Sequence, residues 1–324
     1  VDELGGDAHA LMRQSGIDVA AWLNGQFEVT YRQMIELVGH AAVELDCPDF
    51  GMRLAERQAS ALQTPLVQMV RHSATLGQAL HAVIDHSFAH SRAASIWLQH
   101  RRVEETVAIG HDILIEGMPD MRQLTEQVLL TAYLTRLDAT AGFARARWVE
   151  FRHQPVAAPA KYRAHFGCEV RFGQEADAVV YGAGVLDLPI VAPDPTLHRR
   201  IVSGIRAAFP DRQPPLHVAV RGIVVHRMAS GHCTNASVAD ELGLHSRTMH
   251  RALQREGTSF QRIKDQVRRD LLAHYLDHSD LSLSAISQKL GFAEQSAMTR
   301  FCRQCFGAAP RDRRKQGNRA IDPV

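Results

Sequence analysis

Cysteine is scarce in this chain: Cys47, Cys168, Cys233, Cys302 and Cys305 are odd in number and widely spread over 324 residues. That excludes a disulfide framework and points to a reducing, cytoplasmic setting. No run comes near the ~18 consecutive apolar residues of a membrane-spanning helix. The start lacks a basic stretch followed by an apolar core, so no secretory leader is expected. Catalytic signatures are missing as well. There is no His-Glu-x-x-His, no Gly-x4-Gly-Lys-Ser/Thr phosphate loop and no Gly-x-Ser-x-Gly elbow, and Gly182-Ala-Gly184 lacks the third glycine of a dinucleotide loop. No cofactor is expected.

Metal ligands are present only in weak arrangements. His86 and His90 lie four apart on an expected helix after Thr75, with His81 and Asp85 nearby, a spacing that can turn two imidazoles to one metal. Eighteen histidines make such pairs frequent by chance, so a polar helix face or pocket lining is the preferred reading. Cys302-x-x-Cys305 has zinc or redox spacing but no second ligand pair to complete four, and Cys302 falls where an apolar residue is expected. Packing is expected there, and no metal site is assigned.

At 45% hydrophobic and 22% charged residues the chain has the make-up of a globular protein with room for two or more domains. Its net charge of +2 hides an asymmetry. From Arg212 onward there are 18 Lys and Arg against 10 Asp and Glu; upstream there are 19 against 25. A basic domain gains affinity for DNA by displacing phosphate counterions, while an acidic neighbour is kept off the duplex.

The basic stretch contains one pattern twice. Val238, Leu242 and Gly243 precede Ile286, Leu290 and Gly291 by 48 positions; the offset then grows to 49, with Met249 matching Met298 and Arg251 matching Arg300. Each copy reads as a helix, a glycine turn and a second helix. In the first copy Met249 and Leu253 point inward, leaving Arg247, His250 and Arg251 outside, with Arg255 in support. In the second, Met298 and Cys302 are inside, and Gln295, Ser296, Thr299, Arg300 and Arg303 outside. Arg can bond guanine bidentately, Gln can do so for adenine, and Ser and Thr reach base edges or phosphate. A solvated helix face would show similar residues, but two copies in register favour major-groove readout. Between them Phe260, Ile263, Val267, Leu271, Tyr275 and Leu276 describe an amphipathic helix from about Phe260 to Asp277. Its 18 residues span roughly 27 Å, against the roughly 34 Å of one DNA turn.

This region resembles the AraC/XylS family of bacterial transcription regulators. The resemblance rests on Ser246-Arg247-Thr248-Met249, Arg251, Leu253 and Glu256 to Phe260 in the first copy, and on Gly291-Phe292, Ser296, Arg300, Arg303, Phe306-Gly307 and Pro310 in the second. Met298 and Cys302 stand where an aromatic is usual, Leu272 where alanine is usual, and Arg313 where tyrosine is usual. The first two hundred residues are similar to the arabinose-binding-like domain attached to one branch of that family, through Leu45 to Gly51, Phe151-x-His153-x-x-Pro155, Tyr162-x-x-x-Phe166-Gly167, Val170-x-Phe172-Gly173 and Leu186-x-Leu188-Pro189. The resemblance implies double-stranded promoter DNA and RNA polymerase as partners, and an amino-terminal domain that senses an effector or forms a homodimer. It does not make arabinose the ligand. AraC-like units also occur fused to DNA-alkylation repair domains; Cys47 and Cys168 sit in no cluster that such chemistry needs.

The expected architecture is α+β. Helices are expected over Thr30 to Leu45, after Thr75 through Phe88, and over Pro119 to Ala141; strands over Ser95 to His100, Glu104 to His111, Trp148 to Phe151 and Ala178 to Tyr181. This mixed sensor fills residues 1–208. A Pro-rich linker follows at 209–215, then an all-α double helix-turn-helix domain at 216–315, opening with a helix from Leu216 to Met228 whose apolar residues include Val218, Ile223 and Val225. A frayed tail is expected at 316–324.

Overall fold

The computed structural model of the chain describes residues 1–25, 28–91, 93–115, 117, 120–209, 215–228 and 233–319. Helices α1 (Ala8–Gln14), α2 (Val19–Leu23), α3 (Tyr31–Glu44), α4 (Phe50–Ala59), α5 (Pro65–Arg71) and α6 (Leu76–His86) come first. Side chains start several of them. Thr30 and Gln33 form a reciprocal capping box on α3, and Thr64 and Thr75 cap α5 and α6. Strands β1 (Ala94–Arg101) and β2 (Thr106–Ile113) form a hairpin, followed by α7 (Arg122–Ala139), β3 (Trp148–Glu150), α8 (Pro159–Phe166), β4 (Glu169–Arg171), β5 (Ala178–Gly182) and α9 (Pro195–Ala208).

The strands make one sheet in the order β1-β2-β5-β3-β4, antiparallel except for β3 beside β4. Period-two alternation gives it two faces. Val107, Ile109, Val149, Val179 and Tyr181 join residues of α4 to α7 in the main core. Ala108, Ala178 and Val180 face the other way, flanked by Trp97 and Trp148. A second cluster, with Leu11, Ile35, Val38, Phe50 and Leu124, fixes α1 and α3 against α4 and α7.

The helical region comprises α10 (Leu216–Arg227), α11 (Asn235–Glu241), α12 (Ser246–Arg255), α13 (Phe260–His278), α14 (Leu283–Lys289), α15 (Gln295–Phe306) and α16 (Pro310–Arg319). It has its own core, to which α10 gives Val220 and Val224, its C-cap gives Met228, and α13 gives Phe260, Ile263, Val267, Leu272, Tyr275 and Leu276.

Several sequence expectations need correction. The helix expected from Pro119 begins at Arg122, and Pro119 itself lies outside the described residues, as do 210–214 of the expected linker. The helix after Thr75 ends at His86, and Ser87–Ala89 is a 3-10 turn, so His86 and His90 do not share a helical face. Ser87 donates its hydroxyl to the Ile84 carbonyl, offering the backbone a local alternative to the helix. The bounds of the strands differ from expectation by one or two residues, and the three-residue strand β4 was not foreseen. Of the apolar residues on α10, for which no core face was assigned, Val220 and Val224 are fully buried and Val218, Ile223 and Val225 half-buried. On α13 it is Leu272, not Leu271, that is fully buried. The tail expected at 316–324 is helical as far as Arg319, while 320–324 lie outside the described residues. Arg313 and Arg314 pin α16, the first to the Asp277 carboxylate at 2.7 Å and the second to the Leu281 carbonyl at 2.8 Å.

Candidate nucleic-acid interface

Each helix-turn-helix unit is built from its first helix upward. Thr234 caps α11 in a reciprocal box with Ser237, and Ser282 caps α14. Both helices end in a glycine with positive φ, Gly243 at 64° and Gly291 at 63°. A residue with a Cβ adopts that conformation only at a cost, which is why glycine closes both turns.

The second helices stand on the core by their apolar stripes: Met249 and Leu253 of α12, and Met298 and Cys302 of α15, are fully buried. Burial pushes the Cys302 thiol up to about 11, which keeps it protonated and suits a packing role. The opposite faces carry the residues picked out by sequence. Arg247, His250, Arg251 and Arg255 are all exposed on α12; Gln295, Ser296, Arg300 and Arg303 are exposed on α15, and Thr299 is half-buried. Ser296 donates to the Glu294 carboxylate at 2.9 Å, and Thr299 to the Gln295 carbonyl at 3.0 Å, so both hydroxyls retain acceptor capacity outward.

Sequence reading missed what holds the two units in register. Lys264 on α13 donates its ammonium to the Cys233 carbonyl, just before α11. One turn on, Arg268 donates Nε to the Leu290 carbonyl at 3.1 Å and Nη2 to the Gly291 carbonyl at 2.9 Å, capping the end of α14, and its guanidinium lies over the Phe292 ring. Their signal was a pair of cations at i, i+4 on the polar side of an amphipathic helix, a pattern that solvent-facing helices also show. Glu256, quoted as part of a motif, proves to be a cap: its carboxylate accepts from the Leu216 and His217 amides at 2.9 and 2.8 Å, fixing the start of α10. At 19 residues, α13 is about 28 Å long and sets the distance between the two units.

The back of this assembly rests on the N-terminal domain. The His278 carbonyl at the end of α13 accepts from the Gln154 amide at 3.1 Å. Asp270, also on α13, accepts from the Gly117 amide at 3.3 Å and from Arg221 at 2.6 Å, and Arg221 reaches the Ile115 carbonyl at 3.2 Å. His226 of α10 packs on Trp97 with ring centroids 4.4 Å apart, and Lys289 pairs with Glu175 at 3.7 Å.

Two helix-turn-helix units on one rigid linker, backed by a mixed α+β domain, define a DNA-binding transcription regulator. Comparison with known proteins gives the family. Residues 5–190 match the arabinose-binding domain of AraC transcription regulators, and residues 238–316 match a helix-turn-helix domain. The chain belongs to the AraC family of transcription regulators, in the branch with an arabinose-binding-type N-terminal domain. It is 31% identical over 97% of its length to the HTH-type transcriptional regulator VirS of Mycobacterium tuberculosis, covering 93% of that protein. It is 28% identical over 52% of its length to the ornithine utilization regulator of Pseudomonas aeruginosa, covering 50% of it. Among solved structures, the transcriptional regulator CdpR of Pseudomonas aeruginosa is similar over 96% of this chain and 98% of its own, at 16% identity and a TM-score of 0.46.

Proposed function

We propose that this chain is an effector-controlled transcription regulator in which residues 1–208 sense a small molecule or a second protomer and residues 216–315 read promoter DNA, joined by a linker at 209–215, with a short tail at 316–324. The observation that carries the reading is α13: it holds the entry to α11 through Lys264 and the turn after α14 through Arg268, and its far end and flank are bonded to the N-terminal domain through His278 and Asp270. Any change in the N-terminal domain that favours one docked state biases the spacing of the reading helices by the same free energy. Arg247, His250, Arg251, Ser296, Thr299 and Arg300 contact bases or adjacent phosphates, with Arg255, Gln295 and Arg303 in support. RNA polymerase is the partner through which promoter binding acts, the active form is a homodimer or a monomer spanning two grooves, and the setting is the bacterial cytoplasm, at the nucleoid. Enzymatic activity forms no part of the reading.

The test is fluorescence anisotropy on the chain's own upstream DNA and on scrambled DNA at two salt concentrations. Arg251→Ala and Arg300→Ala are each expected to weaken the specific complex by about 1 to 3 kcal/mol while leaving scrambled DNA nearly unaffected. Equal losses on both DNAs would reassign these side chains to phosphate, and no preference between the DNAs would remove the chain's own promoter as its operator.

A further inference from the structure

The seam between the two domains forms a half-open cavity of about 320 Å³. That is near the lower end of volumes that hold small organic ligands. Phe88, Trp97 and Leu114 line it from the N-terminal domain; Val218 and Ile223 of α10 and Leu242 beyond α11 line it from the DNA-binding side. Neither domain makes this space alone.

Its chemistry is narrow. The charged groups on the wall are already answered: Glu241 pairs with Arg227 at 2.6 Å, and burial holds the His226 imidazole below its ordinary range, neutral against Trp97. Polar capacity comes from the hydroxyls of Ser87, Ser91 and Ser95 and from the buried indole N–H of Trp97, which has no hydrogen-bond partner among the described residues. Ser87 spends its hydroxyl proton on the Ile84 carbonyl at 3.1 Å, and Ser91 accepts from the Ala93 amide at 3.0 Å, so the first is left as an acceptor and the second as a donor. A charged ligand would lose hydration here without gaining a counter-charge, and a polyol would leave most of its hydroxyls against apolar side chains.

We propose that this interdomain cavity is the effector site, and that its occupant is a neutral, mainly apolar small molecule with an aliphatic or aromatic body and one or two hydroxyl or carbonyl groups. The inference deepens the effector-controlled reading above and rests on it. Its structural consequence follows from the lining: an occupant touches α10 and the end of α11 on one side and β1 on the other, so its binding energy is realised only in the docked arrangement. The occupant therefore stabilises docking and, through it, one position of the first helix-turn-helix unit.

The test uses the full chain and Prodan, a neutral naphthyl ketone, as probe. Energy transfer from tryptophan to Prodan should saturate at one site per chain. Val218→Phe and Ala219→Phe, two independent fillings of the cavity, should each weaken probe binding at least tenfold with an unchanged far-ultraviolet spectrum, and the anionic anilinonaphthalene sulfonate should not displace the probe. Saturating probe should change affinity for promoter DNA at least threefold in the wild type and not in the filled variants. Absence of saturable binding, binding indifferent to both substitutions, or displacement by the anion overturns the site. A metabolite that shifts DNA affinity equally in wild type and filled variants would keep effector control and remove this cavity from it. Probe bound in the cavity with DNA affinity unchanged overturns the effector role itself.

Discussion

Single residues carry separable costs. Gly243 and Gly291 share a positive φ, yet a methyl group at Gly243 would meet nothing within 4 Å, whereas at Gly291 it would come within 3.3 Å of the Met228 carbonyl. Gly243→Ala should therefore cost about 1 to 2 kcal/mol of stability from conformation alone, and Gly291→Ala measurably more. Urea unfolding of the two variants checks the ranking, and equal losses would contradict the close approach. Glu126 is fully buried, accepts from the Tyr162 hydroxyl at 2.7 Å, and lies 3.6 Å from the His153 imidazole. Burial pushes its carboxyl up to about 8, with the Tyr162 hydrogen bond and the Arg122 charge limiting the rise. A raised folded value means that its contribution is complete below the unfolded value near 4.5 and is lost as pH climbs through about 8. Glu126→Gln should remove a slope of up to about 1.4 kcal/mol per pH unit between those limits. Parallel stability curves for variant and wild type would show that Glu126 ionises freely.

At the scale of elements, the cap supplied by Arg268 joins α13 to the end of α14. Arg268→Ala should lower stability by about 1.5 to 3 kcal/mol, the range for hydrogen bonds from a charged donor. It should also relax half-site spacing: one inserted base pair between the half-sites should weaken wild-type binding more than that of the variant. Identical spacing profiles would assign the order of the two units elsewhere. Much at this scale could be read from sequence. The two helix-turn-helix units were legible because their apolar pairs and glycines recur at a fixed offset, and the helix between them because its core stripe keeps a helical period. The errors have separate causes. Helix α10 buries Val220 and Val224 in its own core and turns Val218 to the seam, with Ile223 shared between the two, so its periodicity is that of two faces superposed. His90 was placed on the helix of His86 because hydrophobic spacing runs on through Phe88, whereas α6 ends at His86, where Ser87 turns its hydroxyl back to the Ile84 carbonyl. The outward residues of α12 and α15 were legible as faces, since helical spacing sorts side chains by direction; the caps from Lys264 and Arg268 were not, because they depend on where distant carbonyls come to rest.

For the whole molecule, the seam makes docking of the two domains sensitive to acid. His153 of the N-terminal domain is almost fully buried, and His274 and His278 lie on α13, their rings 5.4 Å apart. Burial lowers all three. The remaining influences on His274 come from His278, His153, Arg152 and Asp120; on His278 from Asp120, Arg122, Asp277 and Arg313; and on His153 from Asp177, the Gln154 carbonyl, Arg122 and Asp120. These groups are neutral when docked and bind protons more readily when released. Docking is thus fully supported above the ordinary histidine value of about 6.5 and is lost as pH falls below it. Small-angle scattering of the full chain should show expansion between pH 7.5 and 5.5, and substituting His274→Gln with His278→Gln should blunt it. A radius of gyration independent of pH would place the proton-linked step elsewhere. None of this was legible beforehand, since His153 lies more than a hundred positions from His274 and His278 in the chain.

The clasp on α13 also runs in reverse. A helix gripped by its two reading units on one side and by the N-terminal domain on the other gives the operator a hand on the sensor. Coupling between binding sites is reciprocal, so whatever factor an occupant applies to the affinity for DNA, that DNA applies to the occupant. Promoters whose half-sites sit slightly closer or farther apart would then set different thresholds for one signal, and a single regulator would read the same concentration differently at each of its genes.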